Sequence, residues 1–198
     1  MASEMSENLR QSGQTFPSAL GATRYTAILP EGYDDPSRSR RRYPVIYLLH
    51  GIGGHEDEWL QGSRIGEYVV GRDLILVGAD AAQRCYLDSH DGTSACETMA
   101  ARDLVAFVDT TYRTIPRKEA RGLMGLSMGG YGALYLSLRH STTFQAAASL
   151  SGAFHHYLLA FGIAHQYDEY PGGHAWPFWN AHAAECLDFL ANYLVDAS

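Results

Sequence analysis

A serine between two glycines is the residue whose surroundings most clearly indicate chemistry. Ser127 lies at the centre of Gly125-Leu-Ser-Met-Gly129, with a glycine two positions before it and another two positions after it. This spacing is typical of a strained turn between a strand and a helix, where a side chain at either flanking position would collide with neighbouring backbone. Such a turn lifts the hydroxyl clear of a sheet. Ser127 is therefore a candidate nucleophile.

The segments on either side of Ser127 have the composition that this turn requires. Residues 120–125 form a short apolar run typical of a buried strand, and residues 131–138 combine helix formers with an apolar face. A Gly-rich connection in an ordinary α/β domain would show the same five letters, but the order of strand, serine and helix favours a nucleophile.

A serine hydroxyl becomes nucleophilic when a base takes its proton, and the chain has nine histidines for that role. His174 follows two glycines and a predicted strand over residues 164–170, late in the chain, and we assign it as the general base. His50 precedes a Gly-rich turn and is expected to orient it. His155 and His156 have no third ligand at a recognisable spacing, so they do not predict a metal site.

Acyl transfer also needs hydrogen-bond donors where negative charge develops on the attacked carbonyl oxygen. The backbone N–H of Met128, directly after the nucleophile, is one candidate donor. The second is expected from the Gly-rich turn after the predicted strand 45–49, with the N–H of Ile52 as the candidate. Because open α/β sheets place ligands at the carboxyl ends of their strands, both donors are predicted at that end of the sheet.

The order of apolar segments predicts an α/β fold with a doubly wound, mostly parallel sheet. Continuous apolar runs, typical of strands covered on both faces, alternate with segments of helical period. Strands are predicted at residues 22–29, 45–49, 74–79, 120–125, 146–151 and 164–170, and helices at residues 64–70, 97–112, 131–138, 156–161 and 180–195. Residues 80–94 are predicted as a loop, residues 1–18 as a polar N-terminal tail and residues 19–198 as a single domain.

The composition argues against several classes of function. The net charge of −7 disfavours nucleic-acid binding, which needs a concentrated basic surface. The sequence has no apolar stretch of about 18 residues and no apolar secretory signal near its start, so we expect a cytoplasmic protein without membrane contact. Cys85, Cys96 and Cys186 have no metal-binding spacing and are expected to be reduced, with a Cys85–Cys96 bridge as the alternative.

Several motifs together resemble one enzyme family. They are residues 43–54, which end in His-Gly-Ile-Gly-Gly, residues 58–59, 112–116, 125–133 and 149–152, and Pro-Gly-Gly-His-Ala-Trp at residues 171–176. Residues 19–190 are similar to the α/β-hydrolase serine esterases that include feruloyl esterases and S-formylglutathione hydrolases. The resemblance implies a cofactor-free serine ester hydrolase, with Ser127 as nucleophile, His174 as base, and Ile52 and Met128 as oxyanion donors. Mycolyltransferases share the fold, so acyl transfer to an acceptor other than water is an alternative.

One part of the family pattern is absent from the sequence. Family members carry a lid-like insertion, a further strand and the catalytic aspartate after the Ser-Gly-Ala motif. Here residues 151–154 run almost directly into residues 155–163, which look like the helix that follows that strand. The resemblance therefore implies a minimal, lidless fold missing one late strand, with the predicted strand 164–170 in the vacant place beside residues 146–151.

The missing segment leaves open which group supports the imidazole of His174. Asp168 and Glu169 are the nearest acids in the sequence, although both precede His174 on the same predicted strand and would have to turn back to reach it. The alternatives are a Ser–His dyad with water or a backbone carbonyl on the imidazole, or an acid from a second chain. The sheet edge that the missing strand leaves also suggests a homodimer.

The loss of the segment predicts an open cleft, and its substrate is expected to be a small-molecule or polymer ester. Trp59, Tyr86 and Trp176 fall on loops near the serine and are expected to form an aromatic wall. Such a wall suits feruloyl, short-chain or other aromatic esters, including bulky polyester ends. The alternatives are an S-formylglutathione-type thioesterase, an acyltransferase, and a non-catalytic binding protein that retains the serine turn.

Overall fold

The computed structural model describes residues 10–195, which contain one mixed sheet of six strands in the order β1-β2-β4-β3-β5-β6. Strands β3, β4, β5 and β6 run parallel to one another, whereas β2 runs antiparallel to both β1 and β4. The strands are β1 (Arg10–Ser18), β2 (Gly21–Ile28), β3 (Val45–Leu49), β4 (Ile75–Ala79), β5 (Arg121–Leu126) and β6 (Ala146–Leu150). The sheet is therefore mostly parallel, as the sequence predicts.

Helices connect the strands and cover the sheet. They are α1 (Glu58–Gly62), α2 (Ile65–Tyr68), α3 (Cys96–Thr98), α4 (Leu104–Thr111), α5 (Met128–Arg139), α6 (His155–Ala160) and α7 (Trp176–Tyr193). A π-helical turn (Met99–Asp103) joins α3 to α4, so the predicted helix 97–112 is continuous but locally widened. The five predicted helices and five of the six predicted strands are confirmed, and α1 has no counterpart among the predictions.

Strand β3 shows why helices must cover both faces of the sheet. All five of its residues are buried, and neighbouring side chains of a strand point to opposite faces. Val45, Tyr47 and Leu49 pack in a core with residues of α4 and α5, while Ile46 and Leu48 pack in a second core with residues of α1, α2 and α7. Because apolar side chains lie on both faces of the sheet, helices must cover both faces, which is the doubly wound arrangement.

The predicted strand over residues 164–170 is wrong. The segment has no regular secondary structure, and its side chains are almost all exposed. Its sequence, Ala-His-Gln-Tyr-Asp-Glu-Tyr, offers no apolar face that a strand beside β6 would bury. The segment is held instead by His155, whose ring stacks on Tyr167 at 3.6 Å between centroids. Among the described residues, the sheet therefore ends at β6.

The predicted N-terminal tail is wrong for its second half. Residues 10–18 form β1, which pairs with β2, so the domain extends to Arg10 at least. Phe16 explains the pairing, because its side chain is only 1% exposed and stacks on Phe107 with 5.1 Å between ring centroids. The remainder of the predicted tail, residues 1–9, lies outside the described residues.

Membrane, metal and disulfide features can be assessed only for residues 10–195. No helix in this range has the length and apolar character that spanning a membrane would require. In the same range, no cluster of three or more His, Cys, Asp or Glu side chains has the arrangement of a metal site. Cys85, Cys96 and Cys186 are free thiols, so the alternative of a Cys85–Cys96 bridge is wrong.

The packing of β1 makes a prediction for stability. Phe16→Ala should lower the free energy of unfolding by about 3–5 kcal/mol, because it removes a fully buried aromatic side chain and leaves a cavity. Chemical denaturation would measure the change, with Thr15→Ala, an exposed neighbour on the same strand, as the matched control. Equal stability of the two variants would contradict the packing of β1 on the domain.

Candidate active site

Ser127 lies on a strained turn between β5 and α5. Its backbone has φ 52° and ψ −117°, a left-handed conformation that non-glycine residues rarely adopt. The turn is fixed on both sides, because the N–H of Ser127 donates to the carbonyl oxygen of Leu150 at 2.8 Å and the N–H of Tyr131 donates to that of Ser127 at 3.0 Å. The serine side chain is half-buried and faces the carboxyl end of the sheet.

The two flanking glycines are required by close backbone contacts. A Cβ atom on Gly125 would clash with the carbonyl oxygen of Gly129, and one on Gly129 would clash with the carbonyl oxygen of Leu49. The first clash is between the strand and the helix that the turn joins, and the second is between that helix and β3. The Gly-x-Ser-x-Gly spacing therefore reflects how tightly α5 approaches the ends of both strands.

His174 lies beside the candidate nucleophile. Its Nε2 is 2.7 Å from the Oγ of Ser127, although 47 residues separate them in the sequence. The imidazole is exposed and belongs to a segment without helix or strand that ends where α7 begins. The structure thus brings together the serine and the histidine that the sequence predicts.

Neither predicted acid reaches this histidine. Asp168 accepts a hydrogen bond from the Nε2 of Gln166 at 2.7 Å, and Glu169 is exposed without a contact to His174. Within residues 10–195, no hydrogen-bond acceptor lies on the Nδ1 of His174. A Ser–His pair without a carboxylate is therefore the arrangement that the described residues form.

The Gly-rich turn after β3 is held by two side chains. The Nδ1–H of His50 donates to the carbonyl oxygen of Gly51 at 2.7 Å, and its Nε2 accepts from the N–H of Ala81 at 2.8 Å. On the other side, a carboxylate oxygen of Glu58 accepts from the N–H of Gly51 at 2.7 Å. His50 orients the turn as predicted. The sequence analysis assigns Glu58 no role in the turn, although an acid four residues after the last glycine of a Gly-rich turn is a signal that could find it.

The partial burial of Glu58 affects its ionisation. Desolvation raises the pKa of this carboxyl above its ordinary value, and the hydrogen bond from Gly51 works in the opposite direction by stabilising the carboxylate. The carboxylate is thus an acceptor that the turn needs, held in a place where its charge is poorly solvated.

The same turn lies directly beside the serine. A Cβ atom on Gly51 would be 3.6 Å from the Cβ of Ser127, which places the backbone of Ile52 next to the nucleophile. Among the described residues, neither the N–H of Ile52 nor that of Met128 donates to another group. Both N–H groups therefore remain candidate donors to a carbonyl oxygen that Ser127 would attack.

Two of the three predicted wall residues are buried under the site. Trp59 is 2% exposed and donates from Nε1 to the carbonyl oxygen of Leu49 at 3.1 Å. Tyr86 is 1% exposed and donates to the carbonyl oxygen of His50 at 3.2 Å. The prediction that they contact substrate is therefore wrong, since both are buried and hydrogen-bond to backbone carbonyls at the end of β3. Only Trp176 of the predicted wall faces a cavity.

An open groove of about 320 Å³ lies along the Gly-rich turn. Its lining contains one indole ring, one carboxylate and no lysine or arginine side chain; the lining residues are Gly53, Gly54, His55, Glu58, Gln61, Gly62 and Trp176. A Cβ atom on Gly62 would clash with the indole of Trp176, so this glycine allows the ring to lie against α1. The groove is suited to a group that stacks on an aromatic ring and carries no negative charge.

Comparisons with known proteins find esterases among both the sequence relatives and the structural neighbours of this chain. An esterase of Mycobacterium tuberculosis is 31% identical over 125 residues, which are 60% of this chain and 27% of that protein, so the chain spans about a quarter of the length of this relative. Among solved structures, a ferulic acid esterase has a TM-score of 0.82 at 20% identity, covering 93% of this chain and 99% of that one. S-formylglutathione hydrolase from Staphylococcus aureus has a TM-score of 0.79 at 16% identity, with 92% and 96% covered.

These likenesses confirm the predicted α/β-hydrolase fold. The family model described as "Putative esterase" matches residues 18–157, a range that includes Ser127 and the Gly-rich turn and ends before His174. Because that range is most of the chain, the protein belongs to this esterase family.

Proposed function

We propose that this protein is a carboxylic ester hydrolase that forms an acyl-enzyme on Ser127 with His174 as its base. The observation that carries the proposal is the 2.7 Å contact between the Nε2 of His174 and the Oγ of a serine on a strained turn. A nucleophile and a base within hydrogen-bond distance at the carboxyl end of a parallel sheet are the minimum that acyl transfer through a serine requires.

In the acylation half, the Oγ of Ser127 attacks the ester carbonyl carbon while the Nε2 of His174 takes the hydroxyl proton. The carbonyl π electrons move onto oxygen, and the N–H groups of Ile52 and Met128 donate to that oxyanion. The intermediate collapses, the bond to the alcohol oxygen breaks, and His174 returns its proton to the leaving alkoxide. The products are an alcohol and an acyl-serine.

In the deacylation half, water replaces the alcohol. His174 takes a proton from the water as its oxygen attacks the acyl carbon, and the same two backbone donors stabilise the second oxyanion. Collapse of this intermediate breaks the bond to Oγ, which regains its proton from the imidazolium. The exposure of His174 favours this step, because bulk water reaches the base directly.

The groove favours neutral aryl or short-chain esters as substrates. The indole of Trp176 offers a stacking surface for an aromatic acyl group, and the groove that it lines runs along the Gly-rich turn that lies beside Ser127. A glutathione thioester is disfavoured, because its carboxylates would meet Glu58 and no lysine or arginine among the lining residues.

The nucleophile can be tested by covalent labelling. A fluorophosphonate should modify the protein once per chain, and Ser127→Ala should abolish the label and lower ester turnover by at least about 1000-fold, because no other group can form the acyl-enzyme. Ser137→Ala, on helix α5 but without a contact to the site, is the matched control and should label normally. Folded protein that takes no label would instead support a non-catalytic binding protein.

The predicted acids can be tested by comparing their alanine variants with that of His174. Asp168→Ala and Glu169→Ala should each lower kcat by less than about fivefold, because neither carboxylate contacts the imidazole, whereas His174→Ala should lower it by at least about 1000-fold. Steady-state kinetics on one activated ester measures all three variants. If an acid variant loses as much turnover as the histidine variant, that acid completes a triad.

The substrate class can be tested with a small panel of esters. Methyl ferulate and p-nitrophenyl acetate should be hydrolysed faster than a long-chain p-nitrophenyl ester, and Trp176→Ala should raise KM for the ferulate by up to about tenfold with little effect on the acetate. A clear long-chain preference would contradict an aryl groove. Faster product formation with an added alcohol than with water alone would indicate an acyltransferase.

A further inference from the structure

The imidazole of His174 has one polar partner and one close aromatic partner among the described residues. Its Nε2 meets Ser127, and its ring lies across that of Trp179 with 5.0 Å between centroids and 83° between planes. We propose that Trp179, fixed in place by Ser151, is the residue that positions the base, supplying the orienting part of the role that a carboxylate has in a triad. This inference rests on the proposed function.

Trp179 is suited to hold another ring because it is itself held at several points. It is 7% exposed and lies in the first turn of α7, where its N–H donates to the carbonyl oxygen of Ala175 at 3.2 Å. Its indole Nε1–H donates to the Oγ of Ser151 at 3.0 Å, and its ring packs edge-to-face on that of Trp176 at 5.5 Å. The indole therefore has little freedom to rotate.

Ser151 in turn is tied to the nucleophile. It directly follows Leu150, whose carbonyl oxygen accepts the N–H of Ser127 at 2.8 Å. Ser151 also has φ 56°, a strained value that persists where surrounding contacts over-determine the backbone. The contacts thus close a circuit from the nucleophile through β6, Ser151 and Trp179 to the imidazole and back to the nucleophile.

These contacts matter because the loop that carries His174 has little of its own to restrain the imidazole. Gly172 and Gly173 precede the histidine, the segment has no regular structure, and no described carboxylate restrains the far nitrogen. A misplacement of a catalytic group by about 1 Å can cost about 100-fold in rate, so a base on such a loop needs a fixed neighbour. An indole cannot neutralise an imidazolium as a carboxylate does, so Trp179 contributes orientation and leaves the Nδ1 to solvent.

Two substitutions remove the same hydrogen bond from opposite ends. Trp179→Phe keeps an aromatic ring but loses the N–H, and Ser151→Ala loses the acceptor, so each should lower kcat by about 3- to 10-fold while KM changes by less than about twofold. The double variant should lose no more than the worse single variant, because the bond can be broken only once. Trp179→Leu, which removes the ring, should lower kcat by about 100-fold.

A matched control separates positioning from stability. Leu187→Ala removes a fully buried side chain of the same helix and should destabilise the protein, yet it lies eight residues after Trp179 and outside the first turn of α7. Its kcat, counted per fluorophosphonate-reactive site, should equal that of the wild type. If Trp179→Leu fails to fold, the Ser151→Ala and Trp179→Phe pair still decides the question.

A spectroscopic readout tests the ring contact without relying on turnover. In protein labelled with ¹³C-histidine, the ring-proton signal of His174, assigned with His174→Gln, should carry a ring-current shift from the indole. The signal should move in Trp179→Leu, move less in Ser151→Ala, and stay in place in Leu187→Ala.

The outcomes distinguish this inference from the proposed function. An unmoved His174 signal in Trp179→Leu, or additive losses of kcat in the double variant, would overturn the positioning role. If the wild type neither takes the label nor hydrolyses esters, the proposed function fails, while the histidine signal still decides whether Trp179 holds the ring.

Discussion

The close approach of helix α5 to the ends of β3 and β5 is the constraint on which the site depends. Gly125 and Gly129 have no Cβ atoms to fill the gap. A Cβ atom on Gly125 would overlap the carbonyl oxygen of Gly129, and one on Gly129 would overlap that of Leu49. The approach forces Ser127 into a left-handed conformation, at a cost on the order of 1–3 kcal/mol. It also places the first N–H of the helix beside the Gly-rich turn, so one packing contact positions the proposed nucleophile and both proposed oxyanion donors.

The buried centre of the sheet offsets that strain. Every residue of β3 and β5 is buried, and polar groups fix the carbonyls where β3 ends. The indole of Trp59 and the hydroxyl of Tyr86 donate to the last carbonyls of the β3 end, while Glu58 and His50 hold the next turn from opposite sides. Two aromatic residues expected in a substrate wall thus serve a different purpose, which is to hold the backbone where the Gly-rich turn begins.

How much the sequence predicts depends on how local the determining contacts are. The serine turn, the Gly-rich turn and most strand ends follow from spacing and short apolar runs, and these predictions are confirmed in position. The pairing of β1, which depends on Phe16 reaching Phe107, and the burial of Trp59 and Tyr86 depend on contacts between distant segments, and no periodicity indicates them. The predicted strand 164–170 fails because its residues offer no apolar face for the sheet to bury.

His174 combines a local motif with a position that depends on contacts between distant segments. The histidine sits on a segment without regular structure, so nothing within that segment fixes the imidazole. The contacts at its two ends are the stack of His155 on Tyr167 before it and the ring of Trp179, in the first turn of α7, after it. Under the proposed function, the connection between β6 and α7 delivers the base to the serine, provided that the start of α7 is anchored to the end of β6. The hydrogen bond from Trp179 to Ser151 is that anchor. It joins the start of α7 to the residue that follows Leu150, whose carbonyl oxygen accepts from the N–H of Ser127.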